Sequence, residues 1–213
     1  MWHHFFIVLL METGTVGIVP EQSGGAESNT EARKVFDTID EAKKAFAKTR
    51  DRLRAPASWQ QLAGSATAQF FLCDEGGNEV QRGPGVGDHL KIDIPGPGSL
   101  TGDGFDWVRI EAIEEKEGEA DSIAIRVRPA TNPQNRHSDV AHFFSDEATS
   151  NFIVQRNGTE VIAAVLGRNE KPNTEAEKII DKARNTAVAT GAVTAFSKLQ
   201  WKSLVNGLLS EDK

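Results

Sequence analysis

The sequence predicts an α+β fold: an antiparallel, curved or barrel-like sheet of about six to seven strands, with one N-terminal helix and a C-terminal helical pair. Three observations predict it. A stripe of apolar residues at helical spacing follows residue 28, period-two alternation fills the middle of the chain, and helical spacing with capping signals returns after residue 173. No helical pattern separates successive strands, which argues against a doubly wound parallel sheet.

Taken in order, residues 1–27 read as a flexible N-terminal tail. The apolar run Phe5 to Met11 is too short to span a bilayer, lacks the Lys/Arg flank of a signal peptide, and leads into a Gly/Ser/Glu-rich stretch. Residues 28–56 read as the N-terminal helix. Ser28-Asn29-Thr30-Glu31 fits a capping box, Val35, Phe36, Ile39, Ala42, Phe46 and Leu53 form the stripe, and Pro56 limits it. That stripe suits packing on its own domain, or pairing with a second copy in a weak homo-oligomer.

Residues 57–213 read as a β-rich domain with C-terminal helices. Leu90, Ile92 and Ile94 share one strand face, as do Val108, Ile110 and Ala112 on the next strand and Ile123, Ile125 and Val127 on the third. The acidic segment Glu114 to Asp121 links the second of these to the third as a hairpin loop. Asn157-Gly158 between two apolar runs signals a type I′ hairpin. Val161 to Leu166 is apolar on both faces, so it belongs in the interior of a sheet covered on both sides, with the last two helices as the expected cover. Thr174-Glu175-Ala176-Glu177 caps the first of those helices, and the second opens near Ser197 with Trp201, Leu204, Val205, Leu208 and Leu209 on its apolar face.

Composition narrows the function classes. The 213-residue chain carries 31 acidic against 24 basic residues, a formal charge of -7 that disfavours nucleic acid as a general partner. A single cysteine, Cys73, makes no internal disulfide and suits a reducing, cytoplasmic setting; at the end of Phe70-Phe71-Leu72 it reads as a buried, inert thiol. No membrane span is expected.

The segments GDHLKIDIPGPG, GDGFDWVRIEAIE, IAIRVRP, ATSNFIVQRNGTEVIA and GRNEKPNTEAEK together resemble a family of uncharacterised bacterial proteins, over about residues 58 to 208. The resemblance implies a bacterial module and carries no catalytic residue with it.

The chemistry signals are sparse. Gly96, Gly98, Gly102 and Gly104 lie between two alternating strands and lead into no helix, so they read as an inter-strand loop and not as a phosphate cradle. Asp103 and Asp106 read as solvated loop carboxylates, since the spacing of a calcium loop is absent. His137-x-Asp139-x-x-His142 lacks the geometry of an established metal motif, and no GxSxG elbow marks a nucleophilic serine. No cofactor is expected, and the sequence leaves open whether the chain is an enzyme.

One surface stands out. If the strands at 89–94, 107–113 and 122–128 turn their aliphatic residues inward, then His89, Lys91, Trp107, Arg109, Arg126 and Arg128 project from the opposite face. An exposed tryptophan among these cations suits an anionic ligand or a partner protein. The plainer reading is a salt-bridge ladder with Asp93 and Glu111 and a covered Trp107. The function expected on this basis is a non-enzymatic binding or interaction module using the cationic, Trp-containing face. The alternative is a cavity protein for a small molecule or lipid, with hydrolytic chemistry as an option, lined by Phe143, Phe144, Phe152, Phe196 and Trp201 between the sheet and the C-terminal helices.

Overall fold

A computed structural model describes residues 17–95, 102–135, 139–173 and 198–211. Seven antiparallel strands form one curved sheet: β1 Ala26–Val35, β2 Gln69–Cys73, β3 His89–Asp93, β4 Asp106–Lys116, β5 Ala120–Pro129, β6 Thr149–Asn157 and β7 Glu160–Glu170. Their spatial order is β1-β7-β6-β5-β4-β3-β2. Two helices, α1 Ile39–Leu53 and α2 Trp59–Ala63, connect β1 to β2, and residues 198–208 form α3. The expected α+β architecture is therefore present. The first member of the C-terminal helical pair falls outside the described residues.

The N-terminal helix starts later than its sequence suggested. Ser28-Asn29-Thr30-Glu31 is no capping box, because Ala26–Val35 is an edge strand zipped along nearly the whole of β7. The helix instead opens at a second sequence of the same form, where the Thr38 hydroxyl accepts from Glu41 N–H and the Glu41 carboxylate accepts from Thr38 N–H. Its buried stripe is Ala42, Phe46, Thr49 and Leu53, while Ile39 is exposed. Those apolar residues pack into the protein's own core, so the stripe read as an oligomerisation element is already occupied.

Alternation divides the sheet into two faces. The inner, concave face carries Phe70, Leu72, Leu90, Ile92, Val108, Ile110, Ile125, Val127, Phe152 and Val154, all in the main core. A register shift between Ile110 and Ala112 marks a bulge at Glu111, which turns Ala112 outward instead of inward and Ile113 toward the core. The hairpin after β6 also differs in detail. Asn157 pairs with Glu160, and of the turn residues only Gly158 takes a positive φ, so the two-residue loop is Gly158-Thr159 and not type I′.

The expected cover is present in part: Leu204, Val205 and Leu208 of α3, the second C-terminal helix, lie in the same core as Val161, Ala163 and Val165 of β7, and further elements share the task. On the inner side α1 packs on β6 and β7, and α2 packs on β2. On the outer side residues 17–25 form a strap. Ile18 is 1% exposed among Ala124, Ile153, Ala164 and Leu166, and its carbonyl accepts from Arg126. Asn169 locks the strap, accepting from Ser23 N–H and Gly24 N–H and donating from its amide to Glu21 O and from its backbone to Gln22 Oε1. This part of the segment expected to be a loose tail is thus an ordered layer of the fold.

α3 lies against α2 with no side chain between them at Gly207. A Cβ there would sit 2.2 Å from Leu62 O, a backbone atom that cannot move aside. Gly207→Ala is therefore expected to lower stability by about 1–3 kcal/mol, by displacing Leu204, Val205 and Leu208 from the core. Gly118→Ala, where a Cβ meets nothing, is the control and should change stability by less than about 0.5 kcal/mol. Thermal denaturation of the two variants checks this pair.

Candidate functional site

The outer face brings the six sequence-selected residues onto neighbouring strands. Lys91 pairs with Trp107, His89 with Arg109, and Arg109 with Arg128. Their environments, however, are those of a structural layer. Trp107 is 2% exposed and packs with Cys73, Ala141 and Phe105. Its indole donates to Gly102 O at 3.3 Å, and its backbone N–H donates to Ala141 O at 2.8 Å. The exposed tryptophan that the cationic-face reading requires is therefore absent, and loops, not a helix, cover the ring.

His89 is also buried, and desolvation holds its imidazole below the ordinary histidine range. Lys91 pairs with Glu79 and lies over the rings of Phe71 and Phe105, 4.7 and 4.8 Å from their centroids. Glu111, displaced by the bulge, reaches Arg126 at 3.0 Å and Arg128 at 2.5 Å, and Arg128 also donates to Asp146 O. Arg109 is exposed. Half-exposed pairs of this kind contribute up to about 1 kcal/mol each. Burial pushes the Cys73 thiol upward, which suits an inert core residue.

The inner face has a different character. Trp59 is its hub, with its indole donating to Arg52 O at 3.1 Å. Its ring meets Phe70 at 5.1 Å and Phe152 at 4.8 Å, and Phe152 in turn meets Trp201 of α3 at 5.3 Å. The aromatics expected to line a cavity divide into two groups. Phe152 and Trp201 join this hub, whereas Phe143 and Phe144 meet at a tilt of 50° with centroids 4.3 Å apart, and His142 stacks on Phe143. Phe196 falls outside the described residues.

The second group surrounds a polar pair. Asp106 pairs with Ile92 in register and precedes Val108 by two residues, so strand alternation puts its carboxyl on the inner side, at the end of the apolar row. It accepts from Phe143 N–H, but its Oδ2 is buried without a hydrogen-bond partner among the described residues. His142 Nδ1 accepts from Phe144 N–H at 3.0 Å, which leaves the ring proton on Nε2. That nitrogen lies 3.9 Å from Asp106 Oδ2, too far for a direct hydrogen bond.

Burial sets the charge of both groups. Desolvation pushes Asp106 up from 3.8 to about 7, opposed by the Phe143 N–H bond. Desolvation also pushes His142 down from 6.5 to about 3, so its imidazole is neutral across the physiological range. The sequence had suggested Asp106 only as a loop carboxylate and His142 only as part of the 137–142 spacing. The signal that finds Asp106 is parity: it is in phase with Val108 and Ile110. Of the spaced trio, His137 lies outside the described residues, and His142 faces Asp106.

No family model matches the chain, and no curated protein does. Solved structures with similar folds include the hypothetical protein jhp0584 of Helicobacter pylori, at 12% identity over 84% of this chain and 86% of that one, with a TM-score of 0.43. Protein Ms6760 of Mycobacterium smegmatis matches at 13% identity over 92% and 99% of the two chains, with a TM-score of 0.37. Norcoclaurine synthase of Thalictrum flavum matches at 11% identity over 85% and 94%, with a TM-score of 0.35. Likenesses this distant carry no inference about activity. No helix among the described residues is long and apolar enough to cross a membrane.

Proposed function

We propose that this chain is a binding protein for a small, largely apolar molecule, held on the concave face of the sheet beneath the helices. The observation that supports the reading is the composition of that face. Apolar side chains run from Phe70 to Val127, an aromatic hub lies at the helix side, and two hydrogen-bonding groups stand at one end. Small-molecule sites are typically apolar surfaces with a few placed polar groups. The outer face offers a weaker basis, since Trp107 is covered and Lys91, Arg126 and Arg128 already face protein carboxylates.

Binding is proposed without turnover. Asp106 and His142 supply an acceptor and a donor, while Cys73 belongs to the outer face with its thiol disfavoured as a nucleophile. Calorimetric titration with 1-octanol at two temperatures tests the proposal. Saturable one-to-one binding with a negative heat-capacity change is expected from burial of the alkyl chain. Absence of saturable heat up to the solubility of the alcohol would end it.

A further inference from the structure

We infer that the ligand of this inner face carries a hydroxyl group, which donates to Asp106 Oδ2 and accepts from His142 Nε2. The inference rests on the binding function proposed above and specifies its ligand chemistry. Three features carry it. The first is the orphaned oxygen itself: an acceptor on a side chain that is 7% exposed, with no partner among the described residues. Buried polar atoms are almost always paired, and leaving one unpaired costs stability that a ligand atom restores on binding.

The second is distance. A separation of 3.9 Å excludes direct contact but suits one bridging atom. An oxygen about 2.8 Å from both groups would subtend about 90° between them, within reach of a hydroxyl that donates once and accepts once. The third is the fixed tautomer. Phe144 N–H occupies His142 Nδ1 at 3.0 Å, so Nε2 always presents a hydrogen, and the ring's stacking on Phe143, with centroids 4.4 Å apart, holds its plane. The two groups are thus complementary to an O–H group and not to an ether oxygen, which can accept from His142 but leaves Asp106 unpaired. Phe143 and Phe144, both half-buried, supply apolar contact for the carbon chain next to the hydroxyl.

The test compares 1-octanol with its isomer heptyl methyl ether, which has the same atoms and chain length but no O–H donor. Wild-type protein at pH 7.5 is expected to bind the alcohol tighter by roughly tenfold or more, because a site built for a hydroxyl rejects the analogue lacking it. Asp106→Leu, which removes the acceptor and its orphaned atom together, should bind both isomers equally. Asp106→Asn, whose oxygen can keep the Phe143 N–H and so place an amide donor where Oδ2 stood, should also lose the preference and serves if Asp106→Leu fails to fold, whereas His142→Phe keeps the acceptor and should keep the preference. Equal binding of the two isomers by wild-type protein would overturn the inference while leaving the binding function intact. Retention of the preference in a folded Asp106 variant would overturn it as well. Failure of both isomers to bind would remove the binding function, and the inference with it.

Discussion

Replacing Asp106 with asparagine is expected to stabilise the protein at alkaline pH and to leave it nearly unchanged at acid pH. The sign follows from linkage. A carboxyl raised from 3.8 to about 7 keeps its proton in the folded state after the unfolded chain has released it. Its contribution to stability is fully present below 3.8 and is lost as the pH rises through about 7, by about 4 kcal/mol in all. Asparagine removes that loss, so the variant's advantage should grow from pH 4 to about pH 7 and level off above it. His142 acts in the opposite sense: lowered from 6.5 to about 3, it costs stability as the pH falls through that window. The two slopes oppose each other in the wild type, whose stability should vary little between pH 4 and 7 on their account, and Asp106→Asn exposes the histidine slope. Urea denaturation at pH 4, 6 and 8 reads the difference. An advantage that does not change with pH would show that Asp106 is ionised normally in the fold.

Truncating the aromatic hub should have an effect of similar size by a different route. Trp59→Ala removes a side chain that is 1% exposed, together with its ring contacts to Phe70 and Phe152 and the hydrogen bond to Arg52 O. Losses of this kind cost about 3–5 kcal/mol, a large part of the total stability of an ordinary domain. Arg52 O would lose its indole donor near the end of α1 while keeping Ala55 N–H, and Trp201 would lose part of the surface that seats α3 through Phe152. Phe152→Ala is expected to cost a comparable amount. Chemical denaturation checks both, and a loss under about 1 kcal/mol for Trp59→Ala would mean that the hub is not a packed core.

Much of this architecture is readable before any coordinates are known, because strand parity is local. Leu90, Ile92, Val108, Ile110, Ile123, Ile125 and Val127 all lie on the face that alternation assigns. What is not local is harder to see. The β1 segment AESNTEARKV contains a capping pattern and charged residues on its exposed edge, and only its pairing with β7, some 130 residues away, makes it a strand. The bulge at Glu111 reverses the face of Ala112 because one inserted residue shifts the phase, and nothing in the alternation announces it. Ile18 covers the outer face because Asn169 holds the strap, again a contact between distant segments.

The candidate site was legible in its parts and not in their arrangement. The outer face was correctly composed, with its cations in register, but sequence does not report that Phe105 and Ala141 come over Trp107 or that Glu111 reaches both arginines. Asp106 and His142 are 36 positions apart in the sequence, and neither stands in a recognised motif. Their meeting depends on the segment after β5, where Ala141 N–H donates to Ala130 O and Trp107 N–H donates to Ala141 O. Those two bonds dock the His142 segment onto the start of β4 and the residue that follows β5.

The choice between the two faces is tested most directly by indole resonances in protein labelled with 15N-tryptophan, titrated with 1-octanol. Trp59 and Trp201 report on the inner face and Trp107 on the outer one. The account predicts saturable shifts at Trp201 and Trp59 that are insensitive to salt, with Trp107 unmoved. Shifts confined to Trp107, with the two inner indoles unchanged, would contradict it and return the outer face as the place where this protein binds.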